Sequence, residues 1–154
     1  MKTLYFDING TLTYEYVCKP ALAGGVFETE VRAARFERLV CVSSFQKNIE
    51  FLMEMGKNPD PHAILFDACF GAFADPVWFR SVTTLAADSS HRGRSIDRSG
   101  DWWYADDRAE EYLVADGLAD VFFAHNGGRI FVPRSNSDGA DVITWLRSAG
   151  ASLR

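Results

Sequence analysis

A three-layer α/β sandwich around a mainly parallel central sheet is the fold this sequence predicts, and three observations predict it. Thr3–Phe6 and Leu39–Val42 are apolar without alternation, as expected of strands buried on both faces of a parallel sheet. Between such runs lie segments whose apolar residues recur at helical spacing, so strands and helices take turns along the chain. The size suits one such domain, because 154 residues with 47% hydrophobic content can bury a substantial core.

Each element has its own signal. After the Thr3–Phe6 strand, Tyr14–Gly25 contains Pro20 and the Gly24-Gly25 pair and reads as a loop. Phe27, Val31 and Ala34 share one helix face that leads into the Leu39–Val42 strand. Ile49, Leu52 and Met53 mark the next helix, with Gly56 as its stop. Ala63–Phe66 reads as a third strand. Asp75-Pro76 is a cap followed by proline in the first helical position, and Trp78, Val82 and Leu85 continue as an apolar stripe. Ser89–Gly100 is polar and arginine-rich, an irregular connection with at most a short helix. Trp102–Ala105 is an aromatic strand, followed by a helix through Ala109, Tyr112 and Leu113 to Gly117. Val121–Phe123 and Ile130–Val132 are further strand candidates, and a last helix opens at Asp138 and buries Val142, Trp145 and Leu146 before Gly150. Neither irregular segment is long enough for an independent lid, so residues 1–154 read as a single domain with no separate cap domain.

Composition narrows the function. A net charge of −5 argues against broad coating of nucleic acid, and the arginines of the second half read as scattered surface charge. Apolar runs are interrupted within a few residues, so no membrane span is expected. Cys18, Cys41 and Cys69 form no Cys-x-x-Cys pair, which gives no disulfide framework or zinc site. With no signal-like charged and apolar leader at the start, a cytoplasmic location is the expectation.

The residues with chemistry stand at strand ends. Asp7 follows the first strand directly, where open α/β sheets place their functional groups. Asn9, two residues on, hydrogen-bonds but cannot carry a titrating proton. Leu39–Val42 ends in Ser43-Ser44, and the aromatic strand ends in Asp106-Asp107. Asp107 with Glu110 has the spacing of a helix capping box. His62 and His125 pair with no cysteine or second histidine at metal spacing and are assigned no chemistry; both read as loop or turn residues.

Leu4-Tyr5-Phe6 followed by Asp7-Ile8-Asn9-Gly10-Thr11-Leu12 resembles the first signature of the haloacid dehalogenase (HAD) superfamily, a hydrophobic strand followed by Asp-x-Asp-Gly-Thr-Leu. The resemblance implies a HAD-like, Rossmann-type fold with Asp7 as a nucleophile that takes up a phosphoryl group. Asn9 stands where the family has its acid/base aspartate. Ser43, or Ser44, resembles the second signature, which hydrogen-bonds the phosphoryl group. Arg92 in His91-Arg92-Gly93 is the choice for the basic third signature, with Arg94 and Lys47 as alternatives. Asp106-Asp107 resembles the fourth, the acidic pair that holds Mg²⁺. The capping box makes Asp106 the favoured ligand and leaves Asp107 as cap or ligand.

The activity so implied is a Mg²⁺-dependent phosphohydrolase or phosphotransferase working through an aspartyl-phosphate. Mg²⁺ would be held by Asp7, the main-chain carbonyl of Asn9, Asp106 and Asp107, and the phosphoryl group by Ser43, Arg92 and the amides around Gly10 and Thr11. The alternative is a phosphate- and metal-binding or regulatory domain of the same descent with little turnover. A small or absent cap goes with bulky phosphorylated substrates or a lid supplied by a partner. A nucleic-acid end, with Trp102 or Trp103 stacked on a base, is a narrower version, against which stand the acidic net charge and the commoner role of strand tryptophans as core.

Overall fold

A computed structural model describes residues 1–15, 17–86 and 90–151. Its strands are β1 (Lys2–Phe6), β2 (Thr13–Tyr14), β3 (Val17–Cys18), β4 (Arg38–Cys41), β5 (Thr83–Leu85), β6 (Asp101–Ala105) and β7 (Ile130–Phe131). Its helices are α1 (Val26–Ala33), α2 (Phe45–Glu54), α3 (Pro61–Ala68), α4 (Pro76–Val82), α5 (Ala109–Ala115), α6 (Ala119–His125) and α7 (Ala140–Ala151), with short 3₁₀ turns at Pro20–Leu22 and Gly93–Ser95.

Five strands form one sheet in the order β5-β4-β1-β6-β7, and every pairing in it is parallel. The chain steps outward from β1 through β4 to β5, then returns to β6 on the other side of β1. The order therefore reverses between β1 and β6, and the crevice beyond their carboxyl ends is where such sheets bind ligands.

Side-chain alternation splits the core in two. Leu4, Phe6, Leu39, Cys41, Trp103 and Ala105 pack on one face against Phe27 and Val31 of α1, Leu65 of α3, Phe79 of α4 and Trp145 and Leu146 of α7. Tyr5, Val40, Trp102 and Tyr104 pack on the other against Leu113 of α5 and Phe122 of α6. Three layers follow. At the amino end of the sheet the buried Lys2 ammonium donates to the Ala34 and Ala149 carbonyls, each at 2.8 Å. One cation thereby closes the carboxyl ends of α1 and α7, where the helix dipole favours positive charge.

Three elements differ from the sequence reading. Ala63–Phe66 lies within α3: the Asp60 carboxylate accepts the His62 and Ala63 amides and Pro61 starts the helix, the same Asp-Pro device as at α4. A four-residue apolar run cannot by itself separate strand from buried helix. Val121–Phe123 lies within α6 for the same reason. Conversely, α4 stops at Val82, and Thr83–Leu85 forms the edge strand β5 against β4, so Leu85 leaves the helical stripe. The loop expected over Tyr14–Gly25 contains the β2–β3 hairpin and a 3₁₀ turn, with Tyr16 outside the described residues. Ser89 also lies outside them; residues 90–100 are irregular apart from the Gly93–Ser95 turn. Among the described residues no helix is long and apolar enough to cross a membrane.

Candidate functional site

The loops after β1 and β6 interlock at the reversal point. The Asp7 amide donates to the Ala105 carbonyl at 3.1 Å, so β1 and β6 stay in register to their ends and deliver Asp7 beside Asp106. The chain then turns back sharply: the amides of Thr11, Leu12 and Thr13 all point at the Ile8 carbonyl. Gly10 sits at φ +88°, and a Cβ there would lie 2.1 Å from Asp107 Oδ2. Both its conformation and its missing side chain are required. Thr11 Oγ1 accepts the Asp107 amide at 3.2 Å and ties the two loops together.

Arg92 joins the acids from a third direction. Its Nη1 donates to Asp7 Oδ1 at 3.2 Å and to Asp106 Oδ2 at 2.9 Å, and its guanidinium lies 3.8 Å from the centre of the Tyr112 ring. Asp106 is fully buried and fully engaged: Tyr104 donates its hydroxyl to Oδ2 at 2.7 Å, and the Arg108 amide donates to Oδ1 at 2.9 Å. Asp107 is different, because its Oδ1 is buried with no partner among the described residues. One oxygen from each of Asp7, Asp106 and Asp107 falls within 4.8 Å of the others.

Crowding sets the electrostatics. Burial, then Asp106, raises the Asp7 carboxyl well above the ordinary range, against the opposing pull of Arg92. Asp107 is raised by burial and by Asp106, while a hydrogen bond from Asp7 pulls the other way. Burial works against the Arg92 charge, but Asp106 and Asp7 outweigh it and hold the guanidinium protonated. Such a site either keeps a proton or takes up a cation. Its donors are hard carboxylate oxygens, and the orphaned Asp107 Oδ1 is the atom a hard divalent ion such as Mg²⁺ would satisfy.

Of the residues singled out in the sequence, Asp7, Gly10, Thr11, Arg92, Asp106 and Asp107 come together here. Asn9 flanks the turn, where its Oδ1 accepts the Thr13 hydroxyl at 2.6 Å. Ser43 is buried just past β4, beside the end of β1, and its Oγ accepts the Phe45 amide at 3.2 Å. Ser44 is exposed, as are Lys47 on α2 and Arg94; Arg92 is the arginine that reaches Asp7.

Asp107 does not cap α5: Arg108 holds the N-cap position without a side-chain cap, and the Arg108 amide goes to Asp106 instead. The Asp107 carboxylate is drawn towards Gly10 and Asp7. Trp102 and Trp103 are core residues, packed edge-on against His125 and Trp145, so neither offers a face to a base. His62, read as a loop residue, lies in α3 with Nε2 2.7 Å from the Thr83 carbonyl.

Three contributors escaped the sequence reading. Lys19 is fully buried and its ammonium donates to the Gly10 and Arg134 carbonyls and to Ser137 Oγ at 2.8, 2.9 and 3.2 Å. It holds the turn after β1 to the segment before α7, and nothing in a lone lysine within a loop announces that. Tyr104 was legible, since two residues along a strand share a face and Tyr104 is two before Asp106. Tyr112 is visible only once α5 folds over Arg92.

The fold and site define an α/β protein with a parallel sheet that carries a buried carboxylate–guanidinium cluster at its switch point. Compared with models of known protein families, with characterised proteins and with solved structures, the chain matches none.

Proposed function

We propose that this chain is a Mg²⁺-dependent phosphohydrolase or phosphotransferase of the haloacid dehalogenase type, with Asp7 as the nucleophile. The observation that carries the reading is the contact of Asp7 with Arg92 at the carboxyl end of β1, flanked by Asp106 and Asp107. That arrangement pairs an attacking carboxylate with a fixed guanidinium and leaves an acidic oxygen for a cation.

Asp7 would attack phosphorus in line, forming the Asp7–phosphorus bond as the bond to the leaving oxygen breaks; water would later release phosphate and regenerate the carboxylate. Arg92 is suited to hold the phosphoryl oxygens, since its Nε is buried without a partner among the described residues. Ser43 stands beside the end of β1 for the same task. Asp7, Asp107 and the Asn9 carbonyl would hold Mg²⁺. Asp106, with two hydrogen bonds at Oδ2 and one at Oδ1, would position Arg92 and share in the metal through Oδ1. When bound, Mg²⁺ would supply neutralisation of the charge on the transferring group.

Asn9 cannot protonate a leaving group. General acid assistance is worth about 10²–10⁴-fold, so the reading favours aryl or acyl phosphates, whose leaving groups need little protonation, over alkyl phosphates. The test is phosphate release across a panel of phosphorylated metabolites with Mg²⁺, together with trapping of a fluoride-based phosphoryl mimic on Asp7. Asp7→Asn should abolish both; turnover that survives in the variant would sink the assignment.

A second reading, a phosphate- and metal-binding or regulatory domain, draws on one observation: the Asn9 amide oxygen is occupied by Thr13. Asn9→Asp separates the two readings. A competent site should hydrolyse an alkyl phosphate about tenfold or more faster at saturating Mg²⁺, with little gain on an aryl phosphate. No gain on either substrate favours the binding domain.

A further inference from the structure

A pair of exposed arginines, Arg38 and Arg94, lies away from the acidic site, on the sheet face covered elsewhere by α5 and α6. Those helices pack over β6 and its neighbours, while over β4 and β5 the described residues that cover the sheet are those of the irregular segment around 90–97. Between that segment and the sheet is a hollow of about 620 Å³. Buried Tyr5, Val40 and Ala86 form its floor, and Arg38, His91 and Arg94 stand around it. Among the described residues no acidic side chain lines it. In a chain of net charge −5, that concentration of one sign is against the average.

The two guanidinium groups are also free to bind. Among the described residues neither the Arg38 nor the Arg94 guanidinium has an ion pair or side-chain hydrogen bond. Asp97 feels the Arg38 charge, but its Oδ1 is held by Ser99. His91 places Nδ1 3.1 Å from Asp116 Oδ1. The same short segment thus turns Arg92 inward to Asp7 and presents His91 and Arg94 to the hollow.

We propose that this hollow is a binding site for a small organic anion, one phosphate, sulfonate or carboxylate group carried on an apolar or aromatic body. The volume is that of a small-molecule pocket. The arginine forks match a planar or tetrahedral anion, and the Tyr5–Val40–Ala86 floor takes the apolar part. The site does not depend on phosphoryl chemistry at Asp7.

The probe is naphthalene-1-sulfonate, titrated into the full chain and followed by amide NMR shifts, with uncharged 1-naphthalenemethanol and inorganic sulfate as comparisons. Saturable shifts are expected at Thr84, Leu85, Arg94 and Ser95, with the sulfonate binding more tightly than either comparison. Arg38→Ala and Arg94→Ala, both at exposed positions, should each weaken it about tenfold, and their spectra report that the fold is kept. Affinity unchanged in both variants would overturn the proposal. So would equal binding of the neutral compound, shifts confined to Asp7–Gly10, or self-association of the chain that covers the hollow. Failure of the Asp7 chemistry leaves these outcomes untouched.

Discussion

Asp7 ionises against burial and against Asp106, with Arg92 in its favour. Because its native carboxyl is raised above the unfolded value, the unfolded chain gives up this proton first. Stability is therefore lost as pH rises from about 4, the ordinary aspartate range, through the raised native value, and the penalty is complete above it. Without divalent ions, Asp7→Asn should be more stable than the natural chain in urea melts at neutral pH, and the difference should close below about pH 4. Equal stability at neutral pH would show that Arg92 already compensates the charge. Asp106 and Asp107 should separate in the same way. Asp106→Ala leaves the buried Arg92 short of a partner and should cost about 3–5 kcal/mol. Asp107→Ala removes an unpartnered oxygen together with one hydrogen bond to Asp7 and should cost about 0.5–1.5 kcal/mol, while calorimetric titration shows Mg²⁺ binding reduced. The reverse ranking would make Asp107 the structural acid.

At the scale of elements, the turn after β1 is the piece that assembles the site. Gly10 lets it reverse at positive φ and lets Asp107 come within contact, Thr11 binds the Asp107 amide, and Lys19 anchors the Gly10 carbonyl. Gly10→Ala forces both a strained backbone and a collision with a carboxylate. It should cost about 1–3 kcal/mol and displace Asp107, so divalent-ion binding falls with stability. Thermal melts with and without Mg²⁺ measure both. A variant that keeps the natural chain's Mg²⁺-induced rise in melting temperature would show that Asp107 does not need this approach.

For the whole molecule, the two ends of the sheet divide the work. Charge at the carboxyl end serves the site, and Lys2 at the amino end serves the fold by holding the Ala34 and Ala149 carbonyls under Phe36 and Trp103. Lys2→Met keeps the bulk but leaves those acceptors unpaired. A loss of about 1–3 kcal/mol is expected, with ligand binding at the carboxyl end unchanged in calorimetry. A binding defect in that variant would mean the two ends are coupled through β1.

The α/β alternation, the continuous apolar strands β1 and β4 and the placing of Asp7 and Asp106 at strand ends were determined by the sequence alone. Burial on both faces and the carboxyl-end position are written in local pattern. Short apolar runs were not decided there. Ala63–Phe66 and Val121–Phe123 satisfy strand and helix equally; packing against the sheet settles both as helix, with the Asp60 cap added for the first. The sequence already favoured Arg92 over Arg94 and Lys47, but only the tertiary structure shows its contact with Asp7, because that depends on which cation the chain folds back 85 residues to bring there. The tertiary structure also moved Asp107 from helix cap to site, through a contact with Gly10 that spans the width between β1 and β6. Local pattern fixes what a residue can do; which partner it meets is a property of long-range packing, and the buried charges of this site are satisfied by such partners.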